Sequence, residues 1–182
     1  MTRRQPRDDF DRWMTLGVSP ESRRISLGSM SYTSFDDERG IEFQEAGHFV
    51  RAISYLDGVS DDDIVIDLNS IGGDWGHGMA IYDAIATART YVTIIARGWC
   101  CSMGMVILQA GDERIVSPHC TCMVHDGSIV IGGEAETVQR TAAWAKSVTD
   151  TMNKIFVDRM TEAVCQATQE KVAAMCDRDL YL

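Results

Sequence analysis

Lysine is nearly missing from this 182-residue sequence: Lys146, Lys154 and Lys171 are the only three. Basic residues number 17 against 27 acidic ones, which leaves a net charge of −10 at pH 7. Phosphate-backbone binding is driven by Lys and Arg, so such a chain is a poor nucleic-acid partner. The phosphate loop G-x-x-x-x-G-K-[ST] is absent as well. No apolar run approaches the roughly 18 residues of a membrane-spanning helix. Residues 1–9 are charged and lack the apolar core of a signal peptide, so a cytoplasmic location is expected. The six cysteines, Cys100, Cys101, Cys120, Cys122, Cys165 and Cys176, contain no C-x-x-C pair. Zinc sites of the common spacing are therefore excluded, and the plain expectation is reduced, buried thiols with no metal. Internal repeats and low-complexity segments are lacking too.

What remains is ordinary for a globular protein: 45% hydrophobic residues, 24% charged residues and 15 glycines. Residues 1–23 read as an N-terminal arm with at most one short docking turn, built from Phe10, Trp13, Met14 and Leu16. Residues 24–182 read as one domain. Strands are expected at 24–28, 64–69, 91–96, 113–116 and 121–124, from their β-branched runs. Helices are expected at 41–56, closed by Gly58, at about 79–88, after Met105, and at about 168–175. The longest covers 134–160, where Val138, Ala142, Ala145, Val148, Met152 and Ile155 step by three or four. At about 40 Å it is too long for one small domain to cover, so it should protrude and find a partner. Strands alternate with helices from 41 to 124, which predicts repeated βαβ units around a largely parallel sheet.

Two strand-to-helix turns stand out, Asn69-Ser-Ile-Gly-Gly73 and Gly98-Trp-Cys-Cys-Ser102. Parallel sheets place their sites at such strand ends. A serine at a helix N-terminus, beside unpaired amides, suits a nucleophile whose reaction creates an oxyanion. The plain alternative makes Ser102 an ordinary helix cap. Of the four histidines, His48 lies on a helix and His77 and His119 in expected loops. His125 follows a strand directly and is the best-placed base. Asp126 would face away from it, which leaves Asp177 and Asp179 as orienting carboxylates.

The residues Asn69-Ser-Ile-Gly-Gly73, Gly78-Met-Ala-Ile-Tyr-Asp83, Gly98 through Ser102-Met-Gly104, Ala110-Gly111, Pro118, Met123-Val-His125, Gly132-Gly133 and Arg178-Asp179 follow one another in a known order. Over residues 24–182 the chain resembles the proteolytic subunit of the Clp protease. That resemblance implies a ClpP/crotonase-like α/β fold with a protruding handle helix. It implies a serine endopeptidase with Ser102 as nucleophile, His125 as base and Asp179 as orienting carboxylate. Backbone amides of Gly73 and Met103 would form the oxyanion hole. Gly72, Ile129, Val130, Ile131 and Gly132 would bind an extended substrate backbone. Stacked heptameric rings would cleave unfolded polypeptides. No cofactor is implied, ATP being used only by a partner unfoldase. Three departures accompany the resemblance. Cys100-Cys101 stands where the family usually has alanines, the segment from His125 to Asp179 is a few residues longer, and the chain ends three residues after Asp179. A divergent, virus-encoded ring subunit that scaffolds an active paralogue is the alternative. A Ser–Lys pair using Lys146, or a crotonase-type acyl-coenzyme A enzyme, would keep the fold without using His125.

Overall fold

The computed structural model describes residues 6–28, 40–162 and 180–181. The chain divides into two compact units, residues 1–122 and 123–182. The first unit opens with α1 (Pro6–Leu16), followed by β1 (Val18–Ser19) and β2 (Arg24–Gly28). Next come α2 (Phe43–Val59), β3 (Ile64–Ser70), α3 (Trp75–Ala86), β4 (Val92–Cys101), α4 (Met103–Leu108) and β5 (Glu113–Val116). The boundary between the units falls inside β6 (Thr121–Val124). The second unit holds α5 (Ala135–Glu162) and β7 (Leu180–Tyr181), which pairs antiparallel with β6.

In the first unit β2, β3, β4 and β5 pair in parallel, as the βαβ pattern requires. The β1 strand adds to β2 antiparallel. One face of this sheet is the core. Ile25, Leu27, Ile64, Ile66, Leu68, Val92, Ile94 and Ala96 point into it and are almost fully buried. Phe49, Ile53 and Leu56 of α2 and Ile81 and Ile85 of α3 are buried too. Each large side chain so buried is worth roughly 1.5–3 kcal/mol.

Arg23 ties this layer together. Its backbone is left-handed (φ 52°) and its side chain is buried. The guanidinium donates to the carbonyls of Leu56 (2.9 Å), Ser60 (3.3 Å), Asp62 (2.9 Å) and Asp63 (3.2 Å). It thereby satisfies carbonyls that the end of α2 leaves without helical partners.

Several expected boundaries move. Residues 6–16 form an 11-residue helix rather than one turn, and β1 fastens the segment to β2. Gly58 lies inside α2, whose cap is Ser60 in extended conformation. His77 lies in the first turn of α3 rather than in a loop, because Asp74 caps the helix by accepting from the His77 N–H (3.0 Å). The β4 strand runs on to Cys101 instead of stopping at Ala96. The helix expected at 168–175 lies outside the described residues.

The long helix is present at 28 residues, about 42 Å. From His125 to Thr151 no residue is buried, and the first buried side chains of α5 are Met152, Asn153 and Phe156. No described helix is long and apolar enough to cross a membrane.

Candidate active site

The extension of β4 explains where Ser102 sits. Leu68 pairs with Ala96, but the next pair is Ser70 with Cys100. Two steps on β3 thus match four on β4, so β4 carries a bulge at Arg97, Gly98 and Trp99. Gly98 takes a left-handed φ of 69° there. The Asn69 side chain fills the bulge and accepts from the Trp99 N–H (2.9 Å). A Cβ on Gly98 would lie 2.8 Å from Asn69 Oδ1, so glycine is required. The bulge re-aims the strand, which ends one residue before Ser102.

Ser102 joins β4 to α4 with φ 52° and ψ −119°. Only two described non-glycine residues have positive φ, Arg23 and Ser102. Such a backbone costs about 1–3 kcal/mol and persists only where its surroundings hold it. Ser102 occupies the cap position of α4, yet its side chain makes no capping hydrogen bond. That removes the plain explanation of the serine as a helix cap. A strained serine on a sharp strand-to-helix turn, with its hydroxyl not spent on the helix, is a nucleophile's geometry.

The second turn backs this serine. A Cβ on Gly72 (φ 108°) would lie 2.6 Å from Ser102 Cβ and 3.1 Å from its hydroxyl oxygen. Ser70 Oγ accepts from the Gly72 N–H (3.1 Å) and fixes the turn. Ile41 bridges Gly73 in parallel, donating to Gly72 O (2.7 Å) and accepting from Asp74 N–H (3.0 Å). Met103 is the first residue of α4, among the amides that a helix start leaves without helical partners. Its side chain fills the space over Gly78, where a Cβ would meet Met103 Cγ at 2.1 Å. The structure therefore brings Ser102, Gly72 and Met103 together in the first unit, with Gly73 adjoining Gly72. Sequence reasoning missed Asn69 and Ser70 as positioning residues. An Asn-Ser pair at a strand end was the available signal.

Residues 35–182 match the family model described as Clp protease. The chain belongs to the Clp protease family. Over 188 aligned residues it is 28% identical to the ATP-dependent Clp protease proteolytic subunit 2 of Prochlorococcus marinus (strain MIT 9312). The alignment covers 98% of this chain and 83% of that relative. The mixed α/β fold is that of the Clp proteases, and the chain is a Clp-protease-like peptidase.

The remaining candidates of this Clp-family chain lie in the second unit. His125 follows β6 directly and is half-buried. Asp179 and Asp177 lie outside the described residues. Residues 125–132 form no helix or strand, and Val130 is fully exposed, with Ile129 exposed and Ile131 half-buried. His48 Nε2 is 2.8 Å from Leu16 O, and the His77 ring meets Phe43 edge-on at 5.7 Å. Both histidines thus have structural partners. Cys100, Cys101 and Cys122 are buried. Burial, then the neighbouring Cys122 and Cys120 thiols, push the Cys100 thiol far up. Burial, then Cys122, raise Cys120 to about 11. Such thiols stay protonated and unreactive near neutral pH. Among the described residues no three His, Cys, Asp or Glu side chains form a metal-holding group.

Proposed function

We propose that this chain is a serine endopeptidase, the proteolytic subunit of a self-compartmentalising ring protease that cleaves unfolded polypeptides. Ser102 attacks the scissile carbonyl. His125 takes its proton and later delivers it to the leaving amine. Asp179 holds the imidazole in the required orientation. The amides of Gly73 and Met103 stabilise the oxyanion. Residues 129–132 pair with the substrate backbone by adding it as a strand.

The conformation of Ser102 carries this reading, a strained serine whose hydroxyl does not cap its helix. The β6–β7 register supports the partners. Val124, which precedes His125 in the chain, pairs with Leu180, which follows Asp179 in the chain. The unburied stretch from 125 to 151 supports assembly through α5 into stacked heptameric rings. In the cytoplasm an ATP-dependent unfoldase would feed such a chamber, the subunit itself needing no cofactor.

The test is reaction with a fluorophosphonate probe followed by peptide mapping. Label on Ser102, lost in Ser102→Ala together with peptide cleavage, supports the proposal. A folded protein that resists labelling, or a Ser102→Ala variant that still cleaves, would sink it.

A further inference from the structure

The α1–β1 segment and α2 do not close on each other completely. Between them, within the first unit, lies a cavity of about 350 Å³. That is at the small end of ligand sites, roughly 300–1,000 Å³. His48 on α2 reaches the last carbonyl of α1, with Nε2 2.8 Å from Leu16 O. The imidazole thus meets a carbonyl that the helix end leaves without a helical partner, and it ties the two walls together there. Val18 and Ala52 are buried at the cavity, while Leu16 and Tyr55 line it and stay half-exposed. Apolar side chains left half in water beside a cavity gain when an apolar group fills it.

Two arginines line the same space, Arg12 of α1 and Arg51 of α2. Among the described residues that line it, none is acidic. Neither guanidinium makes a hydrogen bond or an ion pair among the described residues. Of the acids one turn earlier on α1, Asp8 does not line the cavity. Asp9 is engaged elsewhere, accepting from Ser19 Oγ (2.5 Å) and from the Glu21 N–H (3.3 Å). Arg51 Nη1 lies beside Gly47, one turn back on α2, where an added Cβ would stand 3.6 Å from it. The lining therefore carries two positive charges and no negative one, in a chain of net charge −10. Like charges facing one cavity repel, and a bound anion removes that repulsion. A guanidinium fork matches a carboxylate's two oxygens. Inorganic phosphate would satisfy the arginines and leave the apolar lining bare, and a hydrocarbon would do the reverse. An anion that carries an apolar body satisfies both.

We propose that this cavity binds a small amphiphilic carboxylate, with its charged end at Arg12 and Arg51 and its apolar body against Val18, Ala52 and Tyr55. None of the residues placed around Ser102 lines the cavity, so the site stands whether or not the chain is a serine peptidase.

The test titrates the full chain by calorimetry with octanoate, and with 1-octanol as the uncharged probe of the same length. Octanoate should bind at least tenfold more tightly than octanol. Hexanoate should bind about tenfold more weakly than octanoate, for its two missing methylenes. Arg12→Gln and Arg51→Gln should each weaken octanoate about tenfold and leave octanol unchanged. The melting temperatures of both variants should stay put, because neither side chain has a partner among the described residues. Arg140→Gln, at an exposed position of α5, is the control for overall charge and should leave octanoate binding as it was. Equal binding of octanoate and octanol, hexanoate as tight as octanoate, or no binding at millimolar octanoate would overturn the proposal. So would an unaltered affinity in both cavity variants, or an equal loss in Arg140→Gln. Displacement of octanoate by an equal concentration of inorganic phosphate would overturn it too, by showing a site for anions at large.

Discussion

Gly72→Ala is the sharpest perturbation that the site offers. The added methyl would stand 2.6 Å from Ser102 Cβ, 3.0 Å from Cys101 O and 3.1 Å from Ser102 Oγ. Carbon atoms pack at about 3.5–4.0 Å, so something must retreat by close to 1 Å. Cys101 O belongs to the backbone of β4 and gives little. The retreating group is Ser102 or the turn that holds it. A φ of 108° adds strain of about 1–3 kcal/mol once a side chain is present. Misplacement of a reacting group by 1 Å costs on the order of 100-fold in rate. Peptidase activity should therefore fall about 100-fold or more. Thermal unfolding should shift down by several degrees, at about 2–4 °C per kcal/mol for a chain of this size. Gly58→Ala is the matched control, since a Cβ there meets nothing within 4 Å inside α2. It should leave activity alone and raise the melting temperature slightly, because alanine outranks glycine in a helix by up to about 1 kcal/mol. Both variants are read with a fluorogenic peptide and by differential scanning calorimetry, with fluorophosphonate labelling rate as a third measure. Wild-type turnover and labelling in Gly72→Ala would refute the contact on which the site's geometry rests.

Further expectations follow from other parts of the molecule. Arg23→Met should cost about 2–4 kcal/mol by chemical denaturation, since it strands carbonyls at the end of α2; a loss below about 0.5 kcal/mol would mean that water replaces the guanidinium. Burial, and then the nearby Glu42 charge against a hydrogen bond from Gly28, raise the Glu45 carboxyl to about 7. The folded state therefore holds that proton more tightly than the unfolded one, so its stabilisation is complete below about pH 4.5 and fades as pH rises through 7. Glu45→Gln should flatten the fall in melting temperature between pH 5 and 8, and an unchanged slope would refute the assignment. Asp179→Asn should cut peptide turnover sharply while Asp177→Asn does little; the reverse result would shift the carboxylate by two residues. Ala145→Glu, on the part of α5 that the subunit itself leaves unburied, should split stacked rings in sedimentation and lower activity with them, because a carboxylate left unpaired in an interface costs several kcal/mol. A wild type that sediments as a monomer would end the assembly proposal.

The parallel strands were legible because their β-branched runs are short and bounded by turn residues. Arg24–Gly28, Glu113–Val116 and Thr121–Val124 fall where the sequence predicts them. Ser102 and the Gly72-Gly73 turn were legible because both sit at strand ends. The continuation of β4 through Gly98 was not, since a glycine at positive φ marks a turn and a bulge equally well. What separates the two is Asn69, thirty residues away in sequence, whose side chain completes the bulge. The start of α3 was missed for a related reason. Asp74 follows two glycines and reads as loop, although it is a strong helix cap. The helix at 6–16 was hidden by Asp8, Asp9 and Asp11, which mask its apolar positions.

The bare stretch between His125 and Thr151 has a consequence for the subunit before it finds its neighbours. Hydrogen bonding alone leaves an uncovered helix only marginally stable in water. A newly made copy of the proposed ring subunit therefore carries an uncovered helical stretch, residues 135–151, that opens easily, in a machine proposed to consume opened chains. Assembly would then be self-policing: copies that dock early are shielded, and orphans become food for those already docked. Pulse-chase turnover of excess subunit should depend on the Ser102 hydroxyl of its assembled siblings.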